Sequence, residues 1–173
     1  VQGGKVGRVS RHDVVERIDE TARLRALDAL QVLDTPREER FDRLVELVKE
    51  LFHVPVAAVT LIDEARLWAK ASTGVTMSSM PREDSVCSTT IERGEELVVP
   101  DLKIDDRFNA SPTLMASGLR FYAGQPLHAG EHRVGVLCVM GYEEREMSDG
   151  EIRLLRILAD WVEAELATEN EMQ

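Results

Sequence analysis

Apolar residues recur at helical spacing between Asp13 and Gln31, at Val14, Ile18 and Ala22 and again at Leu24, Leu27 and Leu30, which predicts a first helix. Leu33-Asp34-Thr35-Pro36 interrupts it. Thr35, Pro36 and Glu38 have the spacing of a capping box with proline at the first helical position. Phe41, Leu44, Val45, Val48, Leu51 and Phe52 then fall on one helix face, while Glu39, Asp42, Glu46 and Glu50 fall outside it. That is the pattern of a surface helix lying on a core. From Val54 to Ile62 both alternations are apolar, the mark of a central strand covered on both faces. Past a turn at Asp63-Glu64, Leu67, Ala69 and Ala71 alternate with Arg66, Trp68 and Lys70, predicting an antiparallel partner with one polar face.

Two later apolar runs, Leu119 to Leu127 and Val134 to Met140, flank a polar loop from His128 to His132 with Gly130 at the turn. They read as a β-hairpin. Ser148-Asp149-Gly150-Glu151 forms a second capping box, opening a helix to about Glu169. Its first apolar stripe is Ile152, Leu155, Ala159, Val162 and Leu166; a second is Leu154, Ile157, Trp161 and Ala164. One stripe suffices to dock on a sheet. The second predicts a homodimer through Leu154, Ile157 and Trp161, unless the N-terminal helix covers it within the same chain.

The stretch from Thr73 to Gly118 lacks a strong period and is rich in Ser, Thr, Pro, Asp and Met. A short helix near Asp84 or Ser85 and a strand at Leu97-Val98-Val99 are its regular pieces. A segment this long must cover something, and a pocket over the sheet is expected. The element order predicts an α+β fold.

Composition narrows function by exclusion. The net charge of −11 over 173 residues argues against nucleic acid and against anionic membrane surfaces. No run reaches membrane-spanning length. Two cysteines, Cys87 and Cys138, make neither a disulfide framework nor a metal set, and predict a reduced, cytoplasmic protein. No histidine shares a metal-ligand spacing. Phosphate cradles, nucleophile elbows and paired carboxylates are lacking, so neither a cofactor nor a catalytic residue is expected. Residues 1–12 are expected to be disordered or tag-derived, with one domain over 13–170.

Read in series, Thr35-Pro36, Val59 to Asp63, Arg82 to Cys87, Val98 to Asp101, Asp106-Arg107-Phe108 and Leu119 to Leu127 resemble a GAF domain over residues 22–166. The similarity is to the class linked to bacterial diguanylate cyclases and sensor histidine kinases. It implies an antiparallel sheet with helices on one face and a loop-covered pocket on the other. Cyclic-nucleotide binders of the family carry an Asn-Lys-x-Phe-x-Asp-Glu signature that this chain lacks. Free methionine sulfoxide reductases carry several cysteines, and bilin binders a Cys-His pair where Cys87 is followed by Ser88.

The resemblance also singles out a ligand-binding set: Trp68, Ser85, Cys87, Asp101, Arg107 and Tyr122. Arg82 to Cys87 is similar to the motif Arg-x-x-Ser-Phe-Cys, with Val86 in place of Phe. Cys87 is either a pocket thiol activated at a helix N-terminus or a small buried side chain. Ser85 either helps hold an anion or simply caps the helix. Arg107 could fork onto a ligand or anchor its loop to Asp101, Asp105 or Asp106. Trp68 and Tyr122 could stack on a ligand or fill the core. The implied function is a non-catalytic sensory or regulatory module that binds a small polar ligand and signals through its terminal helices. The alternatives are a dimerisation scaffold without ligand and a thiol-dependent redox enzyme using Cys87.

Overall fold

The computed structural model describes the backbone of residues 11–168 and the side chains of residues 19–168. The segment expected to be disordered or tag-derived, residues 1–12, lies outside the described residues up to residue 10, as do the side chains of Val14 and Ile18. The chain runs α1 (Arg11–Ala29), α2 (Glu39–Phe52), β1 (Val56–Ile62), β2 (Arg66–Thr73), β3 (Ser79–Pro81), a single 3-10 turn (Arg82–Asp84) and α3 (Val86–Arg93). It continues through β4 (Leu97–Val99), α4 (Pro112–Ser117), β5 (Phe121–Ala129), β6 (His132–Gly141) and α5 (Asp149–Thr168).

Six strands form one antiparallel sheet in the order β3-β2-β1-β6-β5-β4. The unbroken apolar run of β1 makes it central, and every residue in it is buried. Alternate side chains serve two separate cores. Ala57, Val59 and Leu61 join Leu137 and Val139 of β6 under α1, α2 and α5. Val56, Ala58 and Ile62 join Val136, Cys138 and Met140 on the other face, under α3 and the irregular segments. The long helices therefore share one face, as expected, while the short α3 lies on the opposite one.

Three local expectations are corrected. Thr35 does not cap α2. The N-cap is Glu38, without a side-chain capping bond. Lys70 explains the change: its ammonium is buried and needs acceptors, so it donates to Thr35 Oγ1 at 2.8 Å and Pro36 O at 3.0 Å, with the Glu38 carboxylate at 2.5 Å. The alternation of β2 also breaks. A bulge opposite Val59 and Thr60 shifts the register, so Leu67 lies in the cavity-side core and Ala71 in the helix-side core. In α1, Arg23 is buried and takes a place on the inward stripe one turn before Leu27. By contrast the second capping box forms as read: Glu151 N donates to Ser148 Oγ and Ser148 N to Glu151 Oε1, both at 3.2 Å.

The hairpin turns at Gly130-Glu131, with Gly130 at φ 61°. Pro126 is tolerated in β5 because β4 pairs only as far as Gly124, leaving an open edge beside the proline. On α5, Leu155, Leu158, Ala159, Val162 and Leu166 are buried. Ile157 is 64% exposed and Trp161 48%. No helix among the described residues is long and apolar enough to cross a membrane.

Candidate functional site

A cavity of about 320 Å³ lies on the sheet face opposite the long helices. Its floor is Thr60, Leu67, Tyr122, Cys138 and Met140 from the sheet. Its walls are residues 75–80, the first turn of α3, and Leu114 and Leu119 around α4. Apolar and sulfur-bearing side chains dominate, among them Met77, Met80 and Met140, with hydroxyls interspersed.

The helix α3 is positioned by its own start. Ser85 accepts a hydrogen bond from Ser88 N at 3.1 Å, which caps the helix, and its hydroxyl donates to Arg82 O at 2.9 Å. This turn directs Cys87 inward. The Sγ atoms of Cys87 and Cys138 are 4.0 Å apart. The Tyr122 hydroxyl lies 3.3 Å from Cys87 Sγ and 2.8 Å from Thr90 Oγ1. Gly124 makes room for that hydroxyl: a Cβ there would stand 2.3 Å from it. The hydrogen bond from Cys138 holds the Cys87 thiol below its usual pKa, helped by the hydroxyls of Thr60 and Tyr122 and opposed by burial. Cys138 is pushed well up by the same bond and by burial. Burial, then the neighbouring thiols, push Tyr122 up.

Of the residues singled out in the sequence, the structure brings Ser85, Cys87 and Tyr122 to this cavity. It does not bring Trp68, Asp101 or Arg107. Trp68 packs against the helix-side core, across the sheet, because it alternates with Leu67. Asp101 is held by Arg120, through Nε at 3.2 Å and Nη2 at 2.5 Å, and by Lys103 N at 3.0 Å. The Arg120 guanidinium keeps its carboxyl below the usual range. Arg107 forks onto Asp105, at 3.0 and 2.8 Å, and lies over the Phe108 ring. That is the loop-anchor geometry, and Phe108 plugs the cavity-side core beneath it.

Sequence reading missed Arg82, which ties the cavity wall to α1. Its Nε donates to Ser88 Oγ at 3.2 Å and its Nη1 to Glu20 Oε1 at 2.7 Å. Nη1 also reaches the carbonyls of Asp63 and Glu64 at 3.4 Å. Glu20 is forked by Arg23, both contacts at 2.9 Å, and Arg23 Nη1 donates to Ile62 O at 2.7 Å. The hydrogen bond from Arg23, together with Arg82, lowers the Glu20 pKa to about 2. The i,i+3 spacing of Glu20 and Arg23 was visible in the sequence; their long-range partner was not. Among the described residues no group of three or more His, Cys, Asp or Glu side chains could hold a metal. His128 Nδ1 lies 2.9 Å from Glu163.

One antiparallel sheet, long helices on one face and a short helix beside an apolar cavity on the other define a small α+β domain. The GAF domain family model matches residues 36–166, and the chain belongs to that family of sensory and regulatory modules. A cyclic di-GMP phosphodiesterase of Pseudomonas aeruginosa is 31% identical over 153 residues, covering 87% of this chain. The chain spans only 26% of the length of that relative. The GAF domain from a phosphoenolpyruvate-protein phosphotransferase of Coxiella burnetii superposes with a TM-score of 0.68 at 16% identity, covering 90% of this chain and 96% of that one. Free methionine-R-sulfoxide reductase from Neisseria meningitidis does so with a TM-score of 0.65 at 16% identity, covering 100% and 98%. At such identities the structural likeness shows the fold.

Proposed function

We propose that this domain is a non-catalytic sensory module that binds a small molecule in the cavity and passes its occupancy to the terminal helices. The observation that carries this reading is the hydrogen-bonded path from the cavity wall to α1. Ser85 lines the cavity and caps α3 by accepting from Ser88 N; its hydroxyl donates to Arg82 O, the Arg82 guanidinium donates to Ser88 Oγ behind it, and Glu20 of α1 accepts from Arg82. A ligand that shifts the first turn of α3 pulls on α1 through a charged, partly buried contact. Such a ligand biases the position of α1 only by its differential affinity for the two arrangements.

The lining revises the kind of ligand expected from the sequence. A cavity of about 320 Å³ is at the small end of ligand sites. With Leu67, Met77, Met80, Leu114 and Met140 around it, a compact and mainly apolar molecule fits better than a polar one. The hydroxyls of Thr60, Ser85 and Tyr122 already bond to Val136 O, Arg82 O and the Cys87–Thr90 pair, so toward a ligand they act as acceptors for one or two polar hydrogens. Output passes through a homodimer formed on the outer stripe of α5, where Leu154 is half-buried and Ile157 and Trp161 are exposed. That stripe is also what supports the second reading, a dimerisation scaffold whose cavity has no ligand. In the 31% identical relative the matched region is a minor part of a phosphodiesterase, and control of an attached enzymatic domain is the corresponding role here. Native mass spectrometry of gently purified protein tests the reading. A small-molecule adduct that also raises the melting temperature when added back supports the sensor. A bare chain that no compound in a metabolite library stabilises favours the scaffold.

A further inference from the structure

The thiols of Cys87 and Cys138 are the one chemically reactive pair at this cavity that ligand binding does not require. They are 4.0 Å apart, and both line a cavity reached from solvent. A disulfide needs a separation of about 2 Å, so closing it asks for a comparable shift of a short helix against the sheet. The two sulfurs are not equivalent. Cys87 stands in the first turn of α3, where the helix dipole favours a thiolate, and receives a hydroxyl from Tyr122 at 3.3 Å. Cys138 is fully buried in the middle of β6.

We propose that Cys87 and Cys138 form a redox modification site, at which a small hydroperoxide entering the cavity oxidises Cys87 and Cys138 then closes an intramolecular disulfide. In the first step the Cys87 sulfur attacks one peroxide oxygen. An S–O bond forms, the O–O bond breaks, and the departing oxygen takes the proton released by the thiol, leaving as water or alcohol. In the second step the Cys138 sulfur attacks the Cys87 sulfenic acid. The S–S bond forms, the S–O bond breaks, and the leaving hydroxide takes the Cys138 proton as a second water. The two thiols supply both electrons and the hydroperoxide accepts them. Tyr122 is a positioning residue here: its hydroxyl supports the attacking sulfur and is itself held by Thr90 at 2.8 Å. Because α3 begins at the cap held by Arg82, the disulfide also moves the contact with Glu20; that consequence rests on the proposed signalling path, whereas the oxidation chemistry does not.

The test is treatment of the full chain with stoichiometric hydrogen peroxide, quenching with N-ethylmaleimide in denaturant, and intact mass with peptide mapping. The expected result is a monomeric product lighter by two hydrogens, with Cys87 linked to Cys138, and reversed by dithiothreitol. Cys138→Ser should stop at a sulfenic acid on Cys87 that dimedone traps, and Cys87→Ser should leave Cys138 unoxidised. Tyr122→Phe should slow oxidation roughly threefold to tenfold and move its pH profile upward, a change that loosened packing alone would not make. Both thiols remaining free in wild-type protein overturns the proposal, whatever the variants do. So does a link between chains in place of one within the chain, or Cys138 reacting ahead of Cys87.

Discussion

Replacing Arg82 with methionine should detach α1 from the cavity wall while keeping an aliphatic stem in place. The change removes one charged hydrogen bond to Glu20 at 2.7 Å, one bond to Ser88 at 3.2 Å and the long 3.4 Å contacts to the carbonyls of Asp63 and Glu64. Hydrogen bonds to charged groups contribute roughly 1.5–3 kcal/mol. The lower half of that range applies, because the Arg82 side chain is 19% exposed and that of Glu20 36%. Glu20 keeps its fork with Arg23, so no buried charge is orphaned. The expected loss is about 2 kcal/mol, or about 4–8 °C in melting temperature for a domain of this size. Urea unfolding followed by circular dichroism should give that loss at an unchanged slope. Hydrogen exchange should show the α1 amides opening roughly thirtyfold more often, the ratio that 2 kcal/mol represents. A double-mutant cycle with Glu20→Gln should return a coupling of about 1 kcal/mol. Stability within about 0.5 kcal/mol of wild type, with α1 exchange unaltered, would refute the reasoning.

The same contact predicts a pH dependence. Glu20 has its folded pKa lowered from 4.5 to about 2, so its contribution is fully present above pH 4.5 and is lost as pH falls toward 2. Allowing for its partial exposure, the loss is about 1–2 kcal/mol, and Glu20→Gln should flatten that part of an acid-unfolding profile. Gly135→Ala should be severely destabilising, by about 3 kcal/mol or more, because a Cβ there would stand 2.0 Å from the Thr60 carbonyl oxygen; expression and thermal melting check it. Leu154→Glu with Trp161→Glu should convert a dimer to a folded monomer by light scattering, and a wild-type protein that is already monomeric removes the dimer claim.

The fold was largely legible because its signals are periodic. The two-sided run of β1, the stripe on α2 apart from Leu51, which is 44% exposed at the rim of that face, and the Ser148–Glu151 capping box each state a local geometry that packing did not overrule. What failed were places where one residue answered to a distant partner. Lys70 took Thr35 away from capping α2, and a bulge sent Ala71 to the other face. Of the residues singled out, Ser85 and Cys87, from the Arg82–Cys87 motif, and Tyr122, from the Leu119–Leu127 run, do lie at the cavity. Arg107 and Asp101 went to the acid and base beside them in the fold, and with several acids nearby in sequence the choice of partner could not be read. Arg82 stood at the head of a recognised motif, yet its role became visible only when α1 was placed against it.

The central claim, that occupancy of the cavity reaches α1 through Arg82, is tested most directly by one NMR titration. Indole serves as an apolar probe, methyl-labelled Met77, Met80 and Met140 report on the cavity they line, and amide signals of residues 19–29 report on α1. The account predicts that cavity methyls and α1 amides of the wild type shift together with one Kd, and that in Arg82→Met the methyls still shift while α1 stays still. Cavity methyls that saturate without any response in wild-type α1, or that never respond at all, would contradict it.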